Sequence, residues 1–139
     1  MPDISTVKQT IYDHFATELA ASAFSSVPWT RANEAFTPPE GDWMRVTLVP
    51  LSSQQDTLGK APDRKWLRRG TVITQIFTPA NKGTSQADGL TQFVREVFEG
   101  RTISGLRFRA ANPVPVPAGE DARWYQVNVD QAFDYHERR

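Results

Sequence analysis

The sequence predicts a single α+β domain spanning 1–139: a mixed, mainly antiparallel sheet with two helices packed on one face, in the order α-β-β-β-α-β-β-β. Three observations carry that expectation. Two stretches repeat apolar residues every three or four positions. Six others have the alternation or the β-branched and aromatic content of strands. Only the second helical stretch lies between strands, which disfavours a parallel βαβ array and places both helices on one side of the sheet. A length of 139 residues suits one core.

Ile4, Val7, Ile11, Phe15 and Leu19 line one face of a helix expected from Ser5 to Ala21. Thr6 and Gln9 form a possible capping box, with Asp3 and Ser5 as competing caps. Trp29 to Asn33 reads as a short strand before the turn-rich Phe36-Thr37-Pro38-Pro39-Glu40-Gly41. From Trp43 to Val49, Met44, Val46 and Leu48 alternate with Arg45 and Thr47, the pattern of a half-solvated strand that Pro50 closes or places near an edge. Residues 52–66 show neither period, so they are expected to be a mobile loop in a hairpin-like arm. Leu67 to Phe77 resumes strand character.

After the turn Thr78-Pro79-Ala80-Asn81-Lys82-Gly83, Thr84 or Ser85 caps a second helix carrying Ala87, Leu90, Phe93, Val94, Val97 and Phe98. Gly100 stops it. Three strands are expected to follow, at Thr102 to Phe108, Pro113 to Val116 and Trp124 to Tyr135. In the last, Tyr125, Val127, Val129, Phe133 and Tyr135 share one face, while Gln126, Asn128, Asp130 and Asp134 share the other, which is solvated or buried at a polar interface. His136 to Arg139 reads as a frayed tail.

Composition excludes several function classes. Lys plus Arg and Asp plus Glu each total 16, so no global field draws the molecule to nucleic acid or an anionic membrane. Zero cysteines exclude a disulfide framework, a thiolate metal site and a thiol nucleophile, and leave the cell compartment open. The N-terminus does not read as a secretory signal, and no apolar run is long enough to span a bilayer. His14, beside Phe15, reads as a boundary or surface residue. Two histidines without metal-ligand spacing argue against zinc. Asp130 and Asp134 lack a third acid or histidine nearby, and neither a GxSxG nor a phosphate-binding glycine loop is present. No catalytic set, metal or cofactor is expected.

Charge is nevertheless sorted along the chain. Residues 1–59 hold 3 bases and 7 acids, 60–69 hold 5 bases and 1 acid, and 70–139 hold 8 of each. Lys60, Arg64, Lys65, Arg68 and Arg69 with Trp66 form a basic arm. Such a run reads as a solvated loop, or as an arm that docks on an acidic protein surface or lies near a nucleic-acid backbone. Trp66 among arginines has the composition of an interface hot spot, and equally that of a core anchor.

The succession from Ile4 to Tyr135 resembles the tail-terminator-like proteins of long-tailed bacteriophages, a family that includes minor tail and tail-completion components. The resemblance rests on the leading helix; Phe36-Thr37-Pro38-Pro39 before Trp43-Met44-Arg45-Val46-Thr47; Leu58-Gly59; Arg68-Arg69-Gly70-Thr71-Val72; and Gln75-Ile76-Phe77-Thr78-Pro79. It continues in Phe98-Glu99-Gly100-Arg101, Leu106-Arg107-Phe108, Trp124-Tyr125-Gln126-Val127-Asn128-Val129 and Phe133-Asp134-Tyr135.

The resemblance implies a structural virion protein without a cofactor. It would form a hexameric ring on the head-proximal end of the tail tube, with a monomer in dilute solution, assembled in the host bacterial cytoplasm. It implies partners in a second copy, the tube protein and a head-completion protein. Lys60, Arg64, Lys65, Trp66, Arg68 and Arg69 are then candidates for an interface or for a channel through which DNA passes. The alternatives are another tail-completion role, a small nucleic-acid-binding accessory protein using the arm, and an enzyme with an unfamiliar site.

Overall fold

A computed structural model describes residues 3–117 and 123–139. Its elements are α1 (Ile4–Ala20), β1 (Trp29–Arg31), β2 (Trp43–Gln55), β3 (Lys65–Pro79), α2 (Ser85–Phe98), β4 (Thr102–Ile103), β5 (Leu106–Val116) and β6 (Trp124–Arg138). They form one six-stranded sheet in the order β1-β2-β3-β6-β5-β4. All pairings are antiparallel except β1 with β2. The domain is thus the expected α+β arrangement.

The period-3.6 face of α1 is buried through Val7, Ile11, Phe15 and Leu19, and that of α2 through Ala87, Leu90, Val94, Val97 and Phe98; Ile4, expected on the α1 face, is exposed because it opens the first turn, beyond the reach of the sheet. Both faces join one core with Met44, Val46, Leu48, Val72, Ile76, Val127, Val129 and Phe133 from the sheet. Gly100, at φ 73°, follows α2 in the left-handed conformation that glycine adopts without Cβ strain.

At the start of α1 the cap is Asp3, whose Oδ1 accepts the Thr6 amide at 2.8 Å. Gln9 bonds Asp13 instead of closing a capping box. The Thr6 amide holds the Asp3 carboxyl below its ordinary value. A depressed carboxyl contributes fully above the unfolded value of about 3.9, and that contribution is lost as pH falls through the lower folded value. Circular dichroism from neutral into acid pH should therefore show Asp3→Ala with a shallower acid loss of helix than the wild-type chain. Superimposable curves would sink this role.

Four element boundaries differ from the sequence reading, each for a physical reason. The β2–β3 ladder continues past Val49 to Gln55↔Trp66, across a register shift between Pro50 and Ser52, so only residues 56–64 connect the strands. The expected strand from Thr102 to Phe108 is a two-strand hairpin, because Ser104 and Gly105 both take positive φ (50° and 84°) and turn the chain. Pro113 to Val116 is the far part of β5, which passes a bulge between Phe108 and Ala111. There Gln131, fully buried, donates from Nε2 to the Arg109 carbonyl at 2.6 Å and the Ala132 carbonyl at 3.1 Å, satisfying groups the bulge takes out of the ladder. Finally, β6 runs on through His136 and Glu137 to Arg138, paired with Lys65 to Leu67 of β3, where a frayed tail was expected.

Candidate functional site

The hairpin of β2 and β3, extended by the end of β6, is the arm, and its base is built around Gly70. A Cβ on Gly70 would stand 2.9 Å from Phe133 Cζ and 3.0 Å from the Val49 carbonyl oxygen, so only glycine lets the Phe133 ring lie against this strand.

The structure divides the predicted basic residues. Lys60 is exposed in the 56–64 connection, beyond the paired strands. Along β3 successive side chains alternate faces, so Trp66 and Arg68 share the helix side of the sheet, and Lys65 and Arg69 the other. Trp66 is half-buried, with the guanidinium carbons of Arg64 and Arg68 at 5.5 and 5.2 Å from its ring, a double cation–π contact. Arg64 Nε also donates to the Arg139 carbonyl at 3.1 Å, and Arg68 Nε pairs with Glu137 Oε2 at 2.9 Å. Arg69 remains exposed, opposite Asp134 in the ladder. The arm is therefore no continuous basic surface.

On its helix side lies an open recess of about 390 Å³ bordered by Ile4, Pro50, Arg68, Phe133, Tyr135 and Glu137. Burial, with help from the nearby Glu137 charge, pushes the Tyr135 hydroxyl above its ordinary value, so it stays protonated near neutrality. Arg68 and Glu137 pair on the rim, to which Asp3, Arg69 and Arg139 add further charge.

On the opposite sheet face the sequence reading missed a second charged constellation. Asp134, expected with Asp130 on a face either solvated or buried at a polar interface, is buried, with Arg107 Nη2 2.6 Å from Oδ1 and Arg109 Nη2 2.8 Å from Oδ2. The spaced Arg107 and Arg109 were visible signals, but their convergence on one carboxylate depends on the bulge and on the β5–β6 register. Farther along this face Trp43 is buried too, stacked on Phe77 at 4.0 Å and covered by Phe36 at 5.1 Å and Trp124 at 6.1 Å.

The two histidines are engaged structurally. His14 Nε2 stands 2.8 Å from the Val97 carbonyl, an acceptor left over near the C-terminus of α2, so that nitrogen is the donor. His136 Nε2 lies 3.1 Å from Asp56 Oδ2 and ties β6 to the arm's connection. Among the described residues no group of three or more His, Asp and Glu could hold a metal ion, and no helix is long and apolar enough to cross a membrane.

Comparison with known proteins adds a family to this geometry. A family model described as "Phage tail terminator protein" matches residues 10–131. One similar solved structure has a TM-score of 0.69 at 17% sequence identity, covering 97% of this chain and 96% of that one, a likeness that carries the fold alone. A search of curated proteins finds no match.

Proposed function

The chain belongs to the phage tail terminator family, and from that premise we propose that it forms a hexameric ring on the head-proximal end of the tail tube. The ring ends tube growth and offers the surface to which the head is joined, with a second copy, the tube protein and a head-completion protein as partners. The family is structural rather than enzymatic, and the chain is read as carrying no catalysis. The family match over residues 10–131 is the observation that carries this reading. The arm supports it: a long hairpin with half-buried Trp66 between two arginines is built to reach a protein surface. The division of Lys65 and Arg69 from Trp66 and Arg68 favours protein contact over a single phosphate-tracking stripe.

Mixing the protein with purified tail tubes and imaging the ends tests it directly. Rings at one end and arrested growth are expected; bare tube ends would overturn it. Ring closure is a head-to-tail contact between unlike patches, and the arm is the candidate for one of them. Charge reversal at Arg64, Lys65, Arg68 and Arg69 together should therefore abolish capping. Capping at wild-type concentration by that variant would remove the arm from the interface. Binding to duplex DNA that weakens steeply with salt would favour the nucleic-acid reading instead.

A further inference from the structure

Among the described residues the sheet leaves two long stretches of edge without a partner strand. β1 covers β2 only from Met44 to Val46, and β4 covers β5 only at Leu106 and Arg107. Both open stretches are bare of charge: residues 47–55 read TLVPLSSQQ and residues 110–117 read AANPVPVP. Charge, proline and bulges are the usual devices that keep an edge single in water; these stretches lack charge, and the prolines on β5 remove its donors while leaving its carbonyls free to accept. Leu51 and Val114, among the largest exposed apolar side chains, lie on these two edges at 64% and 48% exposure.

The backbone groups on the two edges match in one direction, from donors on β2 to acceptors on β5. The Asp56 amide donates inward to the Lys65 carbonyl at 2.7 Å, so by strand alternation Gln54 also faces β3, while Ser53 and Gln55 turn their N–H and C=O outward. On β5, Pro113 and Pro115 stand opposite Val129 and Val127 but have no N–H to give. The ladder to β6 therefore runs through Asn112, Val114 and Val116, and the two prolines present their carbonyls outward. One edge offers two donors spaced two residues apart, and the other offers only acceptors at the same spacing. An acceptor-only edge cannot pair with its own kind.

The geometry points to a second copy of this chain as the occupant: the β2 edge at Ser53–Gln55 of one copy adds to the β5 edge at Pro113–Pro115 of the next. The two edges cannot meet within one chain, because β3 and β6 lie between them. They also sit at opposite ends of the strands, since Ser53 aligns through Arg68 with Tyr135 whereas Val114 aligns with Asn128. The contact is thus heterologous and repeats from copy to copy. Three successive antiparallel pairings make β2 and β5 antiparallel within the chain. Copies related by rotation about an axis to which the strands are tilted, as in a closed barrel, keep that relation and take up the offset along the strands, which pairs Ser53 with Pro115 and Gln55 with Pro113 and sets Gln54 opposite Val114. This inference rests on the proposed self-association and names its interface.

The chain has no cysteine, so a double variant, Gln54→Cys with Val114→Cys, reports the contact alone. Facing residues of a non-hydrogen-bonded antiparallel pair have Cα atoms about 4.5 Å apart, inside the disulfide range of about 4.4–6.8 Å. Oxidation of the concentrated protein, and of rings on tubes, should give disulfide-linked species larger than dimers, while each single variant should not exceed a dimer. Ser53→Pro, which removes an outward donor and leaves the β2–β3 ladder intact, should raise the concentration needed for ring assembly about tenfold. Its melting temperature, compared with that of the unsubstituted chain, separates an edge effect from misfolding. Rings that form normally on tubes while the double variant stays unlinked would overturn this interface and leave the terminator reading standing. Linked oligomers without rings on tubes would support the interface and overturn the terminator reading. An unlinked double variant together with bare tubes would overturn both.

Discussion

Phe15→Ala is expected to destabilise the fold by about 3–5 kcal/mol, the usual cost of emptying a fully buried aromatic site. Phe15 has no exposed surface and meets three other rings: Trp29 at 4.9 Å edge-on, Phe93 at 6.0 Å and Phe98 at 6.4 Å. Those rings come from β1 and α2, so this one side chain of α1 joins both helices to the sheet edge. Helix and sheet backbones cannot close around the void without breaking their own hydrogen bonds, so little of the cost is recovered by collapse. The short β1 strand depends on Trp29 for its anchorage and should loosen with it. Thermal unfolding should show a midpoint lower by about 10–15 °C. A loss below about 1 kcal/mol would mean that the core has relaxed into the space.

Gly70→Ala should cost about 1–3 kcal/mol and act on the arm rather than on the helices. The added methyl meets a ring carbon of Phe133 and the Val49 carbonyl oxygen at about van der Waals overlap, and the second of these is backbone. Phe133 is itself held among Phe108 and Tyr135, at 5.7 and 6.1 Å, so it has little freedom to withdraw. Relief therefore falls on β2 beside its register shift at Pro50 and Ser52, changing the angle at which the arm leaves the sheet. Amide hydrogen exchange should accelerate at residues 52–55 and 65–68 while the helices keep their protection, and tube capping should weaken with it. Unchanged exchange in the arm, with or without a lower melting point, would show that the strain is absorbed elsewhere.

Much of the fold was legible because its signals are local. The apolar spacing from Ile4 to Leu19 and from Ala87 to Phe98 identifies each helix from one turn to the next, and Gly100 marks the stop by its backbone freedom. The face of β6 that carries Val127, Val129 and Phe133 is likewise read from alternation alone, and those residues are in the core. The arm was legible as a charge cluster but not as strands. Ser52 to Gln55 have water on both faces, so no apolar alternation records their pairing, and only the bonds across to β3 hold them extended. The alternation that splits Trp66 and Arg68 from Lys65 and Arg69 follows once residues 65–69 are known to be a strand.

Local sequence pattern was enough for the α+β class, the order of elements, the core-facing residues of both helices except Ile4, and the position of the basic cluster, because each depends on neighbours a few residues away. Only the tertiary structure decided the continuation of the arm to Gln55, the split of Thr102 to Phe108 into a hairpin, the burial of Asp134 between two arginines, and the two bare edges of the sheet. Each of those depends on register between strands distant in sequence, where a shift of one residue would turn every side chain to the opposite face.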